Sequence, residues 1–171
     1  MEVTQIFALQ FVLSIVVFSL IAKWVLVPRF AEMKPREVLF WLILPHAFRH
    51  IGMVFLVPGI VAETLPANFA YPAAFGDLLA CILALFAMNA LRGGCTNKAL
   101  ALVWIFNTIG ALDLLFALSH VAVVPLFGAA WYIPTFLVPV LLVSHFMIFK
   151  RLLSPAYNAQ FKSDTATCPA Y

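Results

Sequence analysis

Five separate apolar runs, each long enough to cross a bilayer, fill most of this chain of 171 residues, and no other feature limits its fold so severely. Crossing ~30 Å of hydrocarbon at 1.5 Å per residue takes about 20 helical residues. The runs cover 5–28, 38–61, 70–91, 99–120 and 130–152. A soluble domain is roughly half apolar and a quarter charged. Here 65% of residues are hydrophobic and only 10% are charged, more apolar surface than a soluble fold of this size can hide. The sequence therefore predicts an all-α, polytopic membrane bundle of about five transmembrane helices. Residues 1–153 form the transmembrane domain, and 154–171 form a polar, flexible cytoplasmic tail.

The first run is read as a true span and not as a secretory leader. Met1-Glu2-Val3-Thr4 carries an acid where a leader has a positive region, and no small-x-small cleavage site follows. Orientation follows from the basic residues. Lys23, Arg29, Lys34 and Arg36 surround the first connection, Arg92 and Lys98 the third, and Lys150, Arg151 and Lys162 the C-terminal segment. The opposite ends and connections, 1–4, the Glu63 loop and 121–128, contain no Lys or Arg. The positive-inside rule then places the N-terminus outside and the C-terminus in the cytoplasm. That bias, with no targeting sequence, favours a bacterial inner membrane. Residues 121–128 are apolar enough for a partly inserted hairpin.

Ionisable residues inside the runs cost roughly 2.5–3.5 kcal/mol each on insertion scales and mark candidate sites. The second run carries His46, Arg49 and His50, the third Asp77, the fourth Asn107 and Asp113, and the fifth His145. Counting from the span ends, Arg49, His50, Asp77 and Asp113 fall about 16–22 Å from the inner face. His46, Asn107 and His145 form a second layer at about 9–12 Å. In an α-helix, His46, Arg49 and His50 share a face at i, i+3 and i+4. Ala70, Ala73, Ala74, Asp77, Cys81 and Ala84 form a small-residue face for close helix approach. Pro45 should free the carbonyl of Trp41 and kink the second span.

Arg49 supplies one positive charge against two negative charges if Asp77 and Asp113 are both ionised, so the layer calls for one further proton or a cation. Three function classes follow. The bundle binds or moves a small solute or proton, with Asp77, Asp113 and His50 as proton-transfer groups and Arg49 and Asn107 as binding groups. Alternatively it is a membrane-embedded enzyme acting on a lipid-soluble substrate through carboxylate or histidine acid–base chemistry. In the third class it is a redox protein whose metal ligands are His46, His50 and His145, with His46 and His145 also placed as axial ligands of a haem. The bland alternative is an Arg49–aspartate pair that only fixes helix packing.

No cofactor is indicated by a motif: there is no P-loop, dinucleotide glycine pattern or Gly-x-Ser-x-Gly. Expected partners are the lipid bilayer and a small lipophilic or ionic ligand. Nucleic acid is excluded because the basic residues form no stripe. Transport by so small a chain calls for a homo-oligomer. Cys81, Cys95 and Cys168 have no paired spacing, so no disulfide is expected.

Overall fold

A computed structural model describes residues 2–93 and 96–166, an all-α bundle with no strand among the described residues. Five helices are long and apolar enough to cross a membrane: α1 Val3–Ala31, α2 Pro35–Leu56, α3 Ala67–Arg92, α4 Asn97–Ser119 and α5 Gly128–Leu152. A sixth helix, α6 Pro155–Ala166, follows. The protein is an integral membrane protein. Cys95 and Cys168 lie outside the described residues; Cys81 is buried and free.

Proline sets the local irregularities. Pro28 and Pro139 cannot donate to the preceding turn, and a π turn precedes each, at Ala22–Leu26 in α1 and Ile133–Leu137 in α5. In α2, ordinary α turns over Pro35–Ile43 give way at Pro45 to a 3-10 helix over Leu44–Leu56. Runs of 3-10 helix beyond 3–4 residues are uncommon, and this one is 13 residues long. With three residues per turn its buried face is His46, Arg49, Gly52 and Phe55, spaced strictly by three.

This period corrects the expected azimuth of α2. His50 does not share a face with His46 and Arg49, because i+4 in a 3-10 helix lies about a third of a turn away. His50 is exposed, and its Nδ1 lies 3.0 Å from the Ala47 carbonyl, with Cys81 Sγ 4.0 Å away.

The small-residue face of α3 is buried as its composition demands: Ala70, Ala73, Ala74, Cys81 and Ala84 are all nearly inaccessible. Small side chains let backbones approach closely, which is the main source of association between helices in lipid. α3 accordingly makes its most extensive packing with the 3-10 part of α2 and with α4. One apolar core gathers Leu39, Ile43, Val103, Phe106 and Ile148 towards the basic end. A second gathers Phe55, Phe69, Leu114, Phe127 and Leu141 towards the end without Lys or Arg.

Connections at that second end are folded back rather than open. Residues 121–126 form a 3-10 turn, and the Ala62 and Ala129 amides donate to Leu126 and Ile60 carbonyls at 2.9 Å each. Gly128 has φ +50°, and a Cβ there would lie 2.5 Å from the Ile60 carbonyl oxygen, so only glycine closes this junction.

The segment expected to be a flexible tail is helical over Pro155–Ala166 and docks on the basic end. Its Phe161 is fully buried, with the Arg36 guanidinium 5.5 Å from the ring centre. The Tyr157 hydroxyl donates to the Pro35 carbonyl at 2.5 Å.

Candidate functional site

Between the two apolar cores lies a layer of polar side chains drawn from α2, α3, α4 and α5. Arg49 is its centre and is completely buried. Its Nε donates to Asp77 Oδ1 at 2.7 Å, its Nη1 to the Gly110 carbonyl at 2.9 Å, and its Nη2 to Asp113 Oδ2. One guanidinium therefore joins three helices, and both aspartates expected at this depth meet it.

Three glycines make the assembly possible, and none was singled out from the sequence. A Cβ on Gly52 would lie 2.0 Å from Asp77 Oδ2, and one on Gly76 would lie 1.7 Å from Asp113 Oδ1. A Cβ on Gly110 would sit 2.9 Å from His145 Cε1 and 3.1 Å from Arg49 Nη1. Each aspartate thus occupies a notch in the neighbouring helix, and the fourth helix opens a notch for the guanidinium and an imidazole. The sequence signal is faint but present: Gly52 is i+3 from Arg49, Gly76 immediately precedes Asp77, and Gly110 is i−3 from Asp113.

Towards the basic end the layer continues through His145, Asn107 and His46, all nearly inaccessible. Asn107 Nδ2 donates to the His145 carbonyl at 3.3 Å, which turns its Oδ1 towards the imidazole. Nδ1–H of His145 then donates to Asn107 Oδ1 at 2.7 Å, leaving Nε2 as the lone-pair nitrogen. That Nε2 and both ring nitrogens of His46 are buried without a hydrogen-bond partner among the described residues. The two imidazole centres are 4.2 Å apart, tilted by 54°, and the Phe106 ring lies 5.0 Å from that of His46.

The structure thus brings together Arg49, Asp77, Asp113, Asn107, His145 and His46, and leaves His50 outside. A haem iron about 2 Å from one nitrogen of each axial imidazole would hold the ring centres about 6 Å apart, so the observed stacking does not fit a haem. Among the described residues no three His, Cys, Asp or Glu side chains converge as a multidentate metal site requires. His46, His50 and His145 are not one ligand set, because the 3-10 turn aims His50 away.

On the side of the layer facing the end without Lys or Arg, Asp77 and Asp113 border a cavity of about 30 Å³. Its other walls are apolar, among them Phe7, Phe55, Phe69, Leu114 and Phe127. A cavity needs about 10–15 Å³ to hold a water molecule, so this one has room for water. The carboxylates are 13% and 14% exposed, whereas Arg49 is wholly covered. The charged centre is therefore reachable through the aspartates.

Comparison with curated proteins and with solved structures finds no match. A family model described as Domain of unknown function (DUF8737) matches residues 6–153, from the first span to the end of the fifth, and includes every residue of the polar layer. The chain belongs to that family, DUF8737.

Proposed function

We propose that the bundle binds and moves a proton through its central layer, with Asp113 and Asp77 as the proton-carrying groups and Arg49 as their fixed counter-charge. The observation that carries this reading is the sharing of one buried guanidinium by two carboxylates that both border the water-sized cavity. With both carboxylates ionised the cluster has an excess negative charge, and apolar surroundings make such a charge expensive. A proton removes it without needing space. A hydrated or fully coordinated cation needs several oxygen ligands, and the cavity walls are mainly Phe, Leu, Val and Ala. A cavity of about 30 Å³ also has no room for an organic solute, which argues against the broader small-solute reading.

His145, whose Nε2 faces the same Gly110 notch as the Arg49 guanidinium, is the group that would take the proton onwards. His46, stacked beside it, continues the series towards the basic end. His50, outside the layer, has no part in this path.

Proteoliposomes containing a trapped pH indicator test the reading under an imposed membrane potential. The wild-type protein should acidify or alkalinise the lumen at a rate clearly above protein-free vesicles, and Asp113→Asn should reduce that rate at least tenfold while remaining folded. Wild-type vesicles no leakier than the lipid alone, with no carboxyl band in the infrared spectrum that titrates and disappears in Asp113→Asn, would overturn it.

A further inference from the structure

Helix α1 is the least buried of the spans, and near the basic end a cleft opens beside its contact with the bundle. Only 11% of its most apolar stretch is buried, against 33% or more in each of the other spans. Near the other end α1 is fastened, with Phe7 in the core and Trp131 Nε1 donating to Gln10 Oε1 at 2.7 Å. Nearer the basic end it touches the core through Ala22 and Phe30, and two cavities of about 700 and 640 Å³ open beside these residues. They share the floor residues Val143 and Met147, so they are two lobes of one cleft.

The charge around this cleft is one-sided. Lys23, Lys150 and Arg151 line the first lobe and Arg29 the second, and no carboxylate lines either. Arg151 is held in place: its Nη1 donates to the Met147 carbonyl at 3.1 Å and its guanidinium lies 5.4 Å from the centre of the Phe30 ring. Lys23 and Lys150 are exposed at the rim. The combination is a two-lobed apolar floor beneath a cationic rim, at the end the charge rule assigns to the cytoplasm.

We infer that this cleft is a binding site for an anionic diacyl phospholipid of the inner leaflet, its phosphate held by Lys23, Lys150 and Arg151 and its chains lying in the two lobes. Basic pockets between spans on that side suit anionic headgroups, and each nearby Lys or Arg contributes an attraction of about fivefold in affinity. A second copy of the chain fits poorly, because self-association through this face would bring like charges together. Two chains side by side match two lobes flanking one helix, whereas a single-chain amphiphile would leave one lobe unfilled. This inference is independent of the proton reading, none of whose residues lines either lobe.

The test is fluorescence quenching by brominated lipid in protein whose Trp24, Trp104 and Trp131 are replaced by phenylalanine, since Trp41 lines the second lobe and is 53% exposed. The protein is reconstituted in phosphatidylcholine with increasing brominated phosphatidylglycerol, and quenching is compared with that by brominated phosphatidylcholine. The protein with Trp41 alone should prefer phosphatidylglycerol at least tenfold. Lys23→Gln and Lys150→Gln should each lower that preference about fivefold, and Arg92→Gln with Lys98→Gln, basic residues outside the cleft, should leave it unchanged. Equal quenching by the two lipids in the protein with Trp41 alone overturns the inference. So does an equal loss from the Arg92 and Lys98 substitutions, which would make the preference a general effect of surface charge. The single lysine substitutions touch no core residue, and unchanged thermal unfolding identifies each as a folded protein.

Discussion

At the scale of single residues, the charged layer depends as much on what is missing as on what is present. Gly52, Gly76 and Gly110 each leave out a methyl group where a charged or imidazole atom sits. Gly52→Ala should separate Arg49 from Asp77 and strand a buried charge, a loss of about 3–5 kcal/mol. A fall in thermal unfolding temperature much larger than that for the exposed substitution Gly93→Ala, where a Cβ meets nothing nearer than 3.5 Å, would be the sign of it. Asn107→Leu should cost about 1–3 kcal/mol by leaving His145 Nδ1–H unpaired, and its imidazole nitrogen resonances should lose the fixed Nδ1–H tautomer. Arg49, Asp77 and Asp113 were legible in the sequence because charge in a span is conspicuous and their depths matched. The glycines were not, since a glycine has meaning only through the atom that faces it on another helix. His145 was legible by depth, but its tautomer follows from the orientation of the Asn107 amide, a tertiary fact.

The informative element is α2. Its polar residues were visible, yet their arrangement was read with the α-helical period, and the true period beyond Pro45 is three. An α-helix would place 46, 49, 50 and 53 on one face; the 3-10 run buries 46, 49, 52 and 55. Single-cysteine labelling with a lipid-soluble maleimide, in a background with Cys81, Cys95 and Cys168 all changed to serine, separates the two. Position 50 should react as readily as position 48 while 46 and 55 stay protected, and protection at 50 would restore the α period. The tighter winding has a geometric reason to persist: it aligns Arg49 with Gly52, so that one face carries both the guanidinium and the notch for its partner Asp77.

The terminal helix α6 was unreadable from composition, because its few apolar residues are widely spaced and its docking rests on Tyr157 and Phe161 meeting α2. Burial raises the Tyr157 phenol above its ordinary value, opposed by the nearby Arg151 charge. A raised folded-state value means that this contribution to stability is complete below the unfolded value near 10 and is lost as pH rises through the folded one. Unfolding temperature should therefore decline above about pH 10, less steeply in Tyr157→Phe, which should also lose about 1 kcal/mol at neutral pH.

Across the whole molecule, a polar layer lies between two apolar cores within a single chain. The count of five spans was legible because length and hydropathy alone set it. The gap beside α1 was not, because every face of that helix is apolar and nothing in its pattern distinguishes lipid from protein. All groups of the proposed path come from one protomer, so that proposal calls on no residue of a second copy. Vesicles reconstituted with mixtures of wild-type and Asp113→Asn protein should therefore lose proton flux in direct proportion to the variant fraction. A curve that falls faster would place the working unit in an oligomer.

The burial of Arg49 has a consequence for how the chain is made. Its partners lie 28 and 64 residues further on, so α2 leaves the ribosome with a naked charge and the lowest mean hydropathy of the five spans, 1.5. Alone it is a poor candidate for release into lipid. Stable burial of that charge therefore waits until α3 and α4 deliver their carboxylates. A nascent chain halted after α2 should therefore remain cross-linkable to the translocation channel, and one extended past Asp113 should be set free.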